Sequence, residues 1–284
     1  MTSSPRPADA EGGRLVLVGT PLGNREDLSP RARRTIVEAD LLLCEDTRSP
    51  SRLLGEGERL PRRLSCFAGN EEERIGDMLD ALAQGHTVAF ISEAGMPVWS
   101  DPGRALVDAA VAAGYIVDVV PGPTAAATAV ALAGFAARGA RFLGFPPRDG
   151  GTRHRFVQSV AEDTGASIIY EAGPRVPALL VELAAALDDA GTRRAVIARE
   201  LTKLHQEVLR GTVAELAESV VAALRGEVTM VIEGRAAALV DEREVRAREV
   251  LDVVLADLKP REKAKRLASL TGLDAQTIYA KLSR

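Results

Sequence analysis

The sequence has few cysteines, histidines and aromatic residues. Its 284 residues include two cysteines, three histidines and one tryptophan, and aromatic residues make up 4% of the chain. Two cysteines are too few for a disulfide scaffold, and neither Cys44 nor Cys66 lies among residues spaced as metal ligands. We therefore expect no bound metal, two buried free thiols and a reducing, cytoplasmic location.

Long apolar runs and a strong charge of one sign are also missing. No stretch approaches the ~20 apolar residues that span a bilayer, so no membrane contact is expected. Residues 1–13 are polar, which predicts a disordered tail rather than a signal peptide. The net charge of −4 gives no overall attraction to nucleic acid. Any contact with a polyanion must therefore be local.

Familiar catalytic signatures are absent as well. The sequence contains no P-loop and no G-x-S-x-G, and residues 19–23 lack the spacing of a dinucleotide-binding loop. What remains is a set of strand ends rich in glycine, proline, threonine and carboxylates. Such ends suit a reaction in which a bound cofactor is the reactive group and the protein positions it.

Apolar strands alternate with helices over most of the chain. Strands predicted at 14–18, 41–44, 64–67, 88–92 and 116–120 are separated by helical patterns, which indicates a parallel α/β sheet. Further strands are predicted at 141–145, 167–170, 195–198 and 228–232, with an edge strand at 207–209. The segment 204–211 leaves no room for a crossover helix, so this second sheet should be mixed. Ser29 followed by Pro30 predicts the start of a helix to about residue 39, and Thr212 predicts the cap of a helix to about residue 224. Residues 146–154 are expected to form a polar, basic loop.

These patterns predict an α/β protein with two domains and a small helical module at the end. The first α/β domain covers residues 14–134 and the second, with the mixed sheet, covers 135–236. Residues 237–284 form the basic helical module, with helices at 242–258, 259–270 and 275–282.

The stretch from 88 to 127 contains two breaks, each directly after an apolar strand. The breaks cover residues 93–103 and 121–126, and ligands bind at such strand ends in open α/β sheets. Asp101 and Pro102 predict a helix N-cap followed by proline at the first helical position. The free N–H groups of that helix would suit an anionic group. Either the two breaks lie side by side and form a pocket, or they are ordinary turns.

Eight motifs in a fixed order carry a family resemblance. They are Gly19–Asn24, Ala39-Asp40 with Glu45–Arg48, Ser92–Pro97, Ser100–Gly103, Pro121–Pro123, Tyr170-Glu171, Arg199–Lys203 and Gly226-Glu227. Together they resemble the tetrapyrrole methylase superfamily and, within it, the bacterial small-subunit ribosomal RNA ribose methyltransferases (family I). The basic C-terminal segment is similar to the C-terminal module of that family.

The resemblance implies a tetrapyrrole methylase-like fold with S-adenosylmethionine in the cleft between the two domains. It also implies a homodimer that methylates the ribose 2′-oxygen of a cytidine in the decoding region of 16S rRNA, within the 30S subunit. Carried over position by position, the residues that contact the methyl donor would be Ser92, Glu93, Ala94, Gly95, Met96, Pro97, Ser100, Asp101, Pro121, Gly122, Pro123, Thr124, Ala125, Tyr170, Glu171, Leu201, Thr202, Val228 and Thr229.

The loop Gly19–Asn24 and the segment Glu45–Arg48 would line the acceptor side. A ribose hydroxyl is a poor nucleophile that gains from a positioned base. Asp46 is our first candidate for that base, with Glu45 and Glu171 as rivals. The residues predicted to contact RNA are Asn24, Arg48, Arg148, Lys203, Lys263, Lys265 and Arg266.

Each of these roles has a structural alternative. Glu45 and Asp46 could only accept hydrogen bonds from backbone at a strand end. Arg48 and Lys203 could only pair with neighbouring carboxylates, and the basic segment from Lys259 to Arg266 could be a solvated helix face.

The sequence departs from the family pattern at several positions. Glu93, Met96 and Val228 stand where aspartate, threonine and methionine are frequent. Two histidine-bearing stretches are replaced, one by Phe67-Ala68-Gly69 and one by Ala172-Gly173-Pro174. The missing histidines leave no RNA contact or proton transfer to be expected at those two places, but they do not touch the donor site, which is built mostly from backbone. Two other functions are therefore weighed: methylation of a tetrapyrrole precursor, and a non-catalytic, donor-binding ribosome-assembly factor.

Overall fold

The computed structural model describes residues 12–55, 57–135, 139–148, 150–236, 258–271 and 274–282. The chain divides into two compact units, residues 1–235 and residues 236–284. The first unit contains two five-stranded sheets, and the described part of the second contains two helices. The predicted α/β class, with a mixed second sheet and C-terminal helices, is confirmed.

The first sheet is parallel and buried on both faces. Its strands lie in the order β3-β2-β4-β1-β5. Alternate residues feed two separate cores: Leu15 and Phe90 pack on one face, whereas Val16 and Ile91 pack on the other. The five strands are β1 (Arg14–Val18), β2 (Leu41–Cys44), β3 (Arg62–Ser65), β4 (Thr87–Ile91) and β5 (Ile116–Val120).

Four helices and one short 3₁₀ turn connect these strands, and a fifth helix leads to the second sheet. Ser29 caps the first helix as predicted, because its hydroxyl accepts a hydrogen bond from the Ala32 N–H at 3.0 Å and Pro30 occupies the first position. The helices are α1 (Pro30–Glu38), α2 (Ser49–Leu54), α3 (Glu71–Ala83), α4 (Arg104–Ala112) and α5 (Ala125–Ala133), and the 3₁₀ turn is Arg25–Asp27.

The second sheet is mixed, in the order β6-β7-β10-β8-β9. Only the β6–β7 pair is parallel among these strands, and β9 forms the predicted edge. Its strands are β6 (Ala140–Gly144), β7 (Ala166–Ala172), β8 (Arg194–Arg199), β9 (Glu207–Thr212) and β10 (Glu227–Ile232). The segments that connect them contain α6 (Gly150–Glu162), a 3₁₀ turn (Gly173–Arg175), α7 (Val176–Ala186) and α8 (Val213–Ser219).

The predicted helix start at Asp101 is wrong. Helix α4 begins at Arg104, and its N-cap is Gly103 with φ of 121°. The Val98 N–H donates to the carbonyl of Pro102 at 3.0 Å, which closes a turn at the residues expected to be helical. A side chain at Gly103 would meet the Phe90 ring, so glycine is required there. Asp101 consequently does not cap α4.

Three further boundaries differ from the prediction. The loop predicted over 146–154 ends where α6 begins, because Val157 and Val160 bury one face of a helix that starts among polar residues. The strand expected at 64–67 pairs with β2 over 62–65. The helix capped by Thr212 ends at Ser219 rather than near 224.

The second unit contains α9 (Pro260–Thr271) and α10 (Ala275–Leu282), which pack against each other. The guanidinium carbon of Arg261 lies 5.8 Å from the centroid of the Tyr279 ring. Most of the predicted tail at 1–13 and of the predicted helix at 242–258 lies outside the described residues. No helix in the described part of the chain is long and apolar enough to cross a bilayer.

Candidate active site

A cavity of about 430 Å³ lies at the strand ends of the first unit. The loop after β4 and the start of α5 form one side of it. The carboxyl ends of β7 and β8 and the amino end of β10 form the other, because β10 runs antiparallel to both neighbours. Its volume is that of a site for a small organic molecule.

The two sequence breaks meet through the loop that follows β1. Thr20 exchanges backbone hydrogen bonds with Gly95, at 2.8 Å and 3.1 Å. A Cβ atom on Gly19 would lie 2.6 Å from the Cα atom of Gly122, so both positions require glycine for this close approach. The Gly122 N–H also lies 3.2 Å from the Met96 sulfur. The breaks therefore form one wall of a pocket.

Most residues predicted to contact the methyl donor line this cavity. Those lining it are Glu93, Ala94, Gly95, Met96, Ser100, Asp101, Thr124, Ala125, Tyr170, Glu171, Leu201, Val228 and Thr229. The remaining predicted positions, outside the lining, are Ser92, Pro97, Pro121, Gly122, Pro123 and Thr202.

Several lining residues were not among the predicted donor contacts. Trp99 and Phe145 belong to loops of different sheets, and no local pattern indicates that they meet at one cavity. Gly226 and Glu227 belong to a motif of the family resemblance, which was a usable signal. The additional lining residues are Leu22, Trp99, Phe145, Ala172, Ala198, Lys203, Gly226 and Glu227.

Aromatic rings form one rim of the cavity. Tyr170 packs edge-on against Phe142 and Phe145, with ring centroids 4.8 Å and 5.7 Å apart, and Trp99 packs edge-on against Phe142. The Tyr170 hydroxyl accepts a hydrogen bond from the Ala126 N–H at 3.1 Å. Because Ala126 lies in the first turn of α5, this bond joins the two sides of the cavity.

Strained backbone is concentrated in two loops beside the cavity. Val98 and Ser100 follow β4, and Glu200 and Thr202 follow β8; all four have φ between 50° and 76°. A β-branched residue such as Val98 rarely adopts this conformation. Such strain is typical of loops shaped by a functional site.

Glu171 is buried at the cavity wall with one oxygen satisfied and one not. Its Oε1 atom accepts hydrogen bonds from the Ala172 N–H at 2.8 Å and from Arg175 Nε at 2.7 Å. Its Oε2 atom is buried and has no hydrogen-bond partner among the described residues. The side chain of Glu171 is fully enclosed, so this oxygen is not open to a ligand in the cavity, and its ion pair with Arg175 holds the end of β7 at the cavity wall.

Asp101 also lines the cavity, and its carboxyl group is easily protonated. Burial raises the pKa of Asp101 to about 6, with further contributions from the carboxylates of Glu45 and Glu227. A hydrogen bond with Ser92 acts in the opposite direction. A carboxylate with such a pKa can accept a proton near neutral pH.

Asp46, our first candidate for the base, lies outside the cavity lining and is held by arginine. Arg48 Nε lies 2.9 Å and 3.0 Å from the two carboxylate oxygens of Asp46. These hydrogen bonds lower the pKa of Asp46 to about 2, which makes it a weak base. Glu45 accepts a hydrogen bond from the Glu93 N–H at 3.1 Å. This contact agrees with the alternative in which Glu45 only accepts hydrogen bonds from backbone at a strand end.

The residues predicted to contact RNA lie in several places. The Asn24 N–H donates to the Thr202 hydroxyl at 3.0 Å, beside the cavity. Lys203 Nζ lies 3.1 Å from Glu200 and 2.9 Å from Glu227. These distances agree with the alternative in which Lys203 pairs with carboxylates rather than with RNA. Arg148 is exposed between β6 and α6, whereas Lys263, Lys265 and Arg266 lie in α9.

Burial opposes the charge of Lys203, but its ion pairs with Glu227 and Glu200 raise its pKa. Lys203 is therefore a cation at neutral pH, with its charge already balanced by carboxylates.

Comparison with known proteins identifies the class of this fold and site. A family model described as Tetrapyrrole (Corrin/Porphyrin) Methylases matches residues 14–217. A solved structure of uroporphyrin-III C-methyl transferase from Thermus thermophilus, complexed with S-adenyl homocysteine, superimposes with a TM-score of 0.55 and 20% identity. The match covers 78% of this chain and 97% of that one, and it shows the shared fold.

Two sequence relatives are more specific. The ribosomal RNA small subunit methyltransferase I of Thermotoga maritima is 42% identical over 78% of this chain and 99% of that protein. The protein of the same name from Streptococcus pyogenes is 34% identical over 94% and 93% of the two chains. The chain belongs to the tetrapyrrole methylase family and, within it, to the ribosomal RNA small subunit methyltransferase I family. The predicted fold, methyltransferase class and use of S-adenosylmethionine are thus confirmed at the level of the family.

Proposed function

We propose that the enzyme transfers a methyl group from S-adenosylmethionine to the ribose 2′-hydroxyl of a cytidine in the decoding region of 16S rRNA, within the 30S subunit. The observation that carries this proposal is the strand-end cavity, with its backbone wall and the carboxylates of Glu93 and Asp101 in its lining. We also propose, from the family resemblance, a homodimer in the cytoplasm.

The lining of the cavity fits the donor in charge and polarity. S-adenosylmethionine supplies an electrophilic methyl group on a positively charged sulfur. Carboxylates at Glu93 and Asp101 favour a bound cation, whereas those of Glu171 and Glu227 are already paired with Arg175 and Lys203. Apolar side chains suit the adenine ring; they are Leu22, Ala125, Leu201 and Val228.

Asp101 replaces Asp46 as our candidate for the general base. It lies at the cavity, whereas the carboxylate of Asp46 is occupied by Arg48. In the reaction the ribose oxygen bonds to the methyl carbon, the bond from sulfur to that carbon breaks, and Asp101 accepts the hydroxyl proton. The products are the 2′-O-methylated RNA and S-adenosylhomocysteine.

The proposal is tested by incubating the protein with labelled S-adenosylmethionine and undermethylated 30S subunits, followed by mapping of ribose methylation. We expect one labelled cytidine 2′-O-methyl group in the decoding region, and none when fully methylated subunits are used. Label found only on a corrin or porphyrin precursor would select tetrapyrrole methylation instead. Donor binding without any transfer would select a non-catalytic assembly factor.

A further inference from the structure

Three arginines surround the loop that follows β2. Arg48 is anchored to Asp46, with its Nη2 atom 2.8 Å from the carboxylate, and Arg52 Nη2 lies 3.7 Å from the same carboxylate. Arg63, on the edge strand β3, donates to the carbonyl of Thr47 at 2.9 Å and to the Ser51 hydroxyl at 3.1 Å. We call Arg48, Arg52 and Arg63 the arginine cluster.

The arginine cluster is exposed although its members are anchored. The side chains of Arg48 and Arg52 are 78% and 60% exposed, whereas that of Asp46 is 29% exposed. Since a guanidinium has five N–H donors and Asp46 takes only some of them, outward donors remain for another acceptor. Three guanidiniums lie near two carboxylates, those of Asp46 and Glu93, which leaves one positive charge in excess.

A short chain of hydrogen bonds connects this cluster to the cavity. The Asp46 N–H donates to Glu93 Oε1 at 3.1 Å, and the Ser49 hydroxyl lies 2.9 Å from both Glu93 oxygens. Glu93 itself lines the cavity. The loop that carries Arg48 is therefore held against the cavity wall, so the cluster lies beside the cavity.

The cavity wall and the arginine cluster carry charges of opposite sign. The cavity wall carries carboxylates, which suit a cationic donor, and the cluster beside it carries guanidiniums, which suit phosphate because of their planar, forked donors. An RNA strand whose ribose enters the cavity brings its own phosphates to the rim. The net charge of −4 makes a local cationic site necessary for such a strand.

We propose that Arg48, Arg52 and Arg63 form a subsite for backbone phosphates of the substrate RNA, and that Asp46 is a positioning residue that orients Arg48. This inference rests on the proposed function, because it takes the acceptor to be RNA. It gives Asp46 a role in RNA binding rather than in proton transfer.

The first experiment compares Arg52→Gln/Arg63→Gln with a matched control, Arg141→Gln. Arg141 pairs with Asp163 at 2.8 Å and is 51% exposed, but it lies at the amino end of β6, opposite the strand ends that form the cavity. Affinity for undermethylated 30S subunits is measured over a range of salt concentrations, and donor affinity is measured by calorimetry.

We expect the double variant to bind 30S subunits about tenfold more weakly and the slope of log affinity against log salt to fall by roughly 0.7–0.9 per lost phosphate contact. Donor affinity should stay within twofold of the wild-type value. Arg141→Gln should leave both quantities unchanged. Equal affinities and slopes for the double variant and the control would overturn the subsite.

The second experiment measures the kinetics of Asp46→Asn. Loss of a positioning carboxylate should raise KM for 30S subunits about fivefold and lower kcat by less than about threefold, with the same pH profile. A fall in kcat of about a hundredfold with unchanged KM would instead make Asp46 the base. If wild-type protein methylates no 30S subunits, the proposed function fails; if it does so and every variant keeps its KM, only this inference fails.

Discussion

At the scale of single residues, Glu171 tests whether a buried ion pair shapes the donor site. Its side chain is fully enclosed and pairs with Arg175. We expect Glu171→Gln to weaken S-adenosylmethionine binding about tenfold, because the cavity wall loses a hydrogen bond to a charged group, which contributes about 1.5–3 kcal/mol. Titration calorimetry measures this. Glu182→Gln is the control, because Glu182 also pairs with an arginine, Arg153, but lies outside the cavity. Equal donor affinity for both variants would show that this ion pair does not shape the donor site.

Asp101 gives a prediction that couples activity to stability. Its pKa is about 6 in the folded chain, above the ordinary value of 3.8 for aspartate, so the folded state binds more protons between these values and its stability falls as pH rises from 4 to 6. Replacing Asp101 with Asn removes this penalty. We expect Asp101→Asn to raise Tm by about 2–4 °C at pH 8, with no gain at pH 3.5.

The same substitution should lower kcat about a hundredfold. It should also remove the fall in activity that we expect for the wild-type enzyme when the pH drops through 6 and Asp101 becomes protonated. Asp108→Asn serves as the control, because Asp108 is an exposed carboxylate on α4. If Asp101→Asn keeps the wild-type turnover and the same fall in activity at low pH, Asp101 is excluded as the base. A gain in Tm that is the same at both pH values would show that charge is not its cause.

At the scale of elements, an N-cap residue followed by proline identified one helix start and misplaced another. Ser29 caps α1, with Pro30 at the first helical position. Asp101-Pro102 follows the same pattern, yet the turn closed by the Val98 N–H delays α4 by two residues. The cap pattern is therefore not sufficient to locate a helix start when the same residues close a turn of their own.

The candidate site was predictable where it is built from strand ends. Motifs such as Ser92–Pro97 stand directly after apolar strands, so their position at the cavity follows from the sheet. Pairing of Arg48 with a neighbouring carboxylate was one of two alternatives from the sequence, and side-chain directions select it and choose Asp46. The aromatic rim of Trp99 and Phe145 depends on contact between two sheets. No periodicity or motif spacing carries that information.

Helix α8 offers a test of local stability away from the cavity. Thr212 and Glu215 form a reciprocal capping box: the Thr212 hydroxyl accepts from the Glu215 N–H at 3.2 Å, and Glu215 Oε2 accepts from the Thr212 N–H at 2.8 Å. We expect Thr212→Ala to cost about 1 kcal/mol and to lower Tm by about 2–4 °C. Calorimetry with Glu218→Ala, an exposed residue of the same helix, provides the comparison. Equal Tm values for the two variants would contradict a stabilising cap.

At the scale of the whole molecule, an acidic protein has to bind a polyanion through limited basic surfaces. The two compact units each carry one: the arginine cluster in the first, and Lys263, Lys265 and Arg266 on α9 in the second. Lys265 and Arg266 are exposed on that helix. If both surfaces contact the same RNA, each releases counterions independently, and their effects on the salt slope should add.

We therefore expect the triple variant Lys263→Ala, Lys265→Ala and Arg266→Ala to bind 30S subunits more weakly and to lower the salt slope by about 2. Combined with Arg52→Gln/Arg63→Gln, the reduction should approach the sum of the two, because the substitutions lie in separate units. Donor affinity should remain unchanged throughout. A triple variant with wild-type affinity and slope would mean that the basic face of α9 is only solvated, and that the first unit alone holds the RNA.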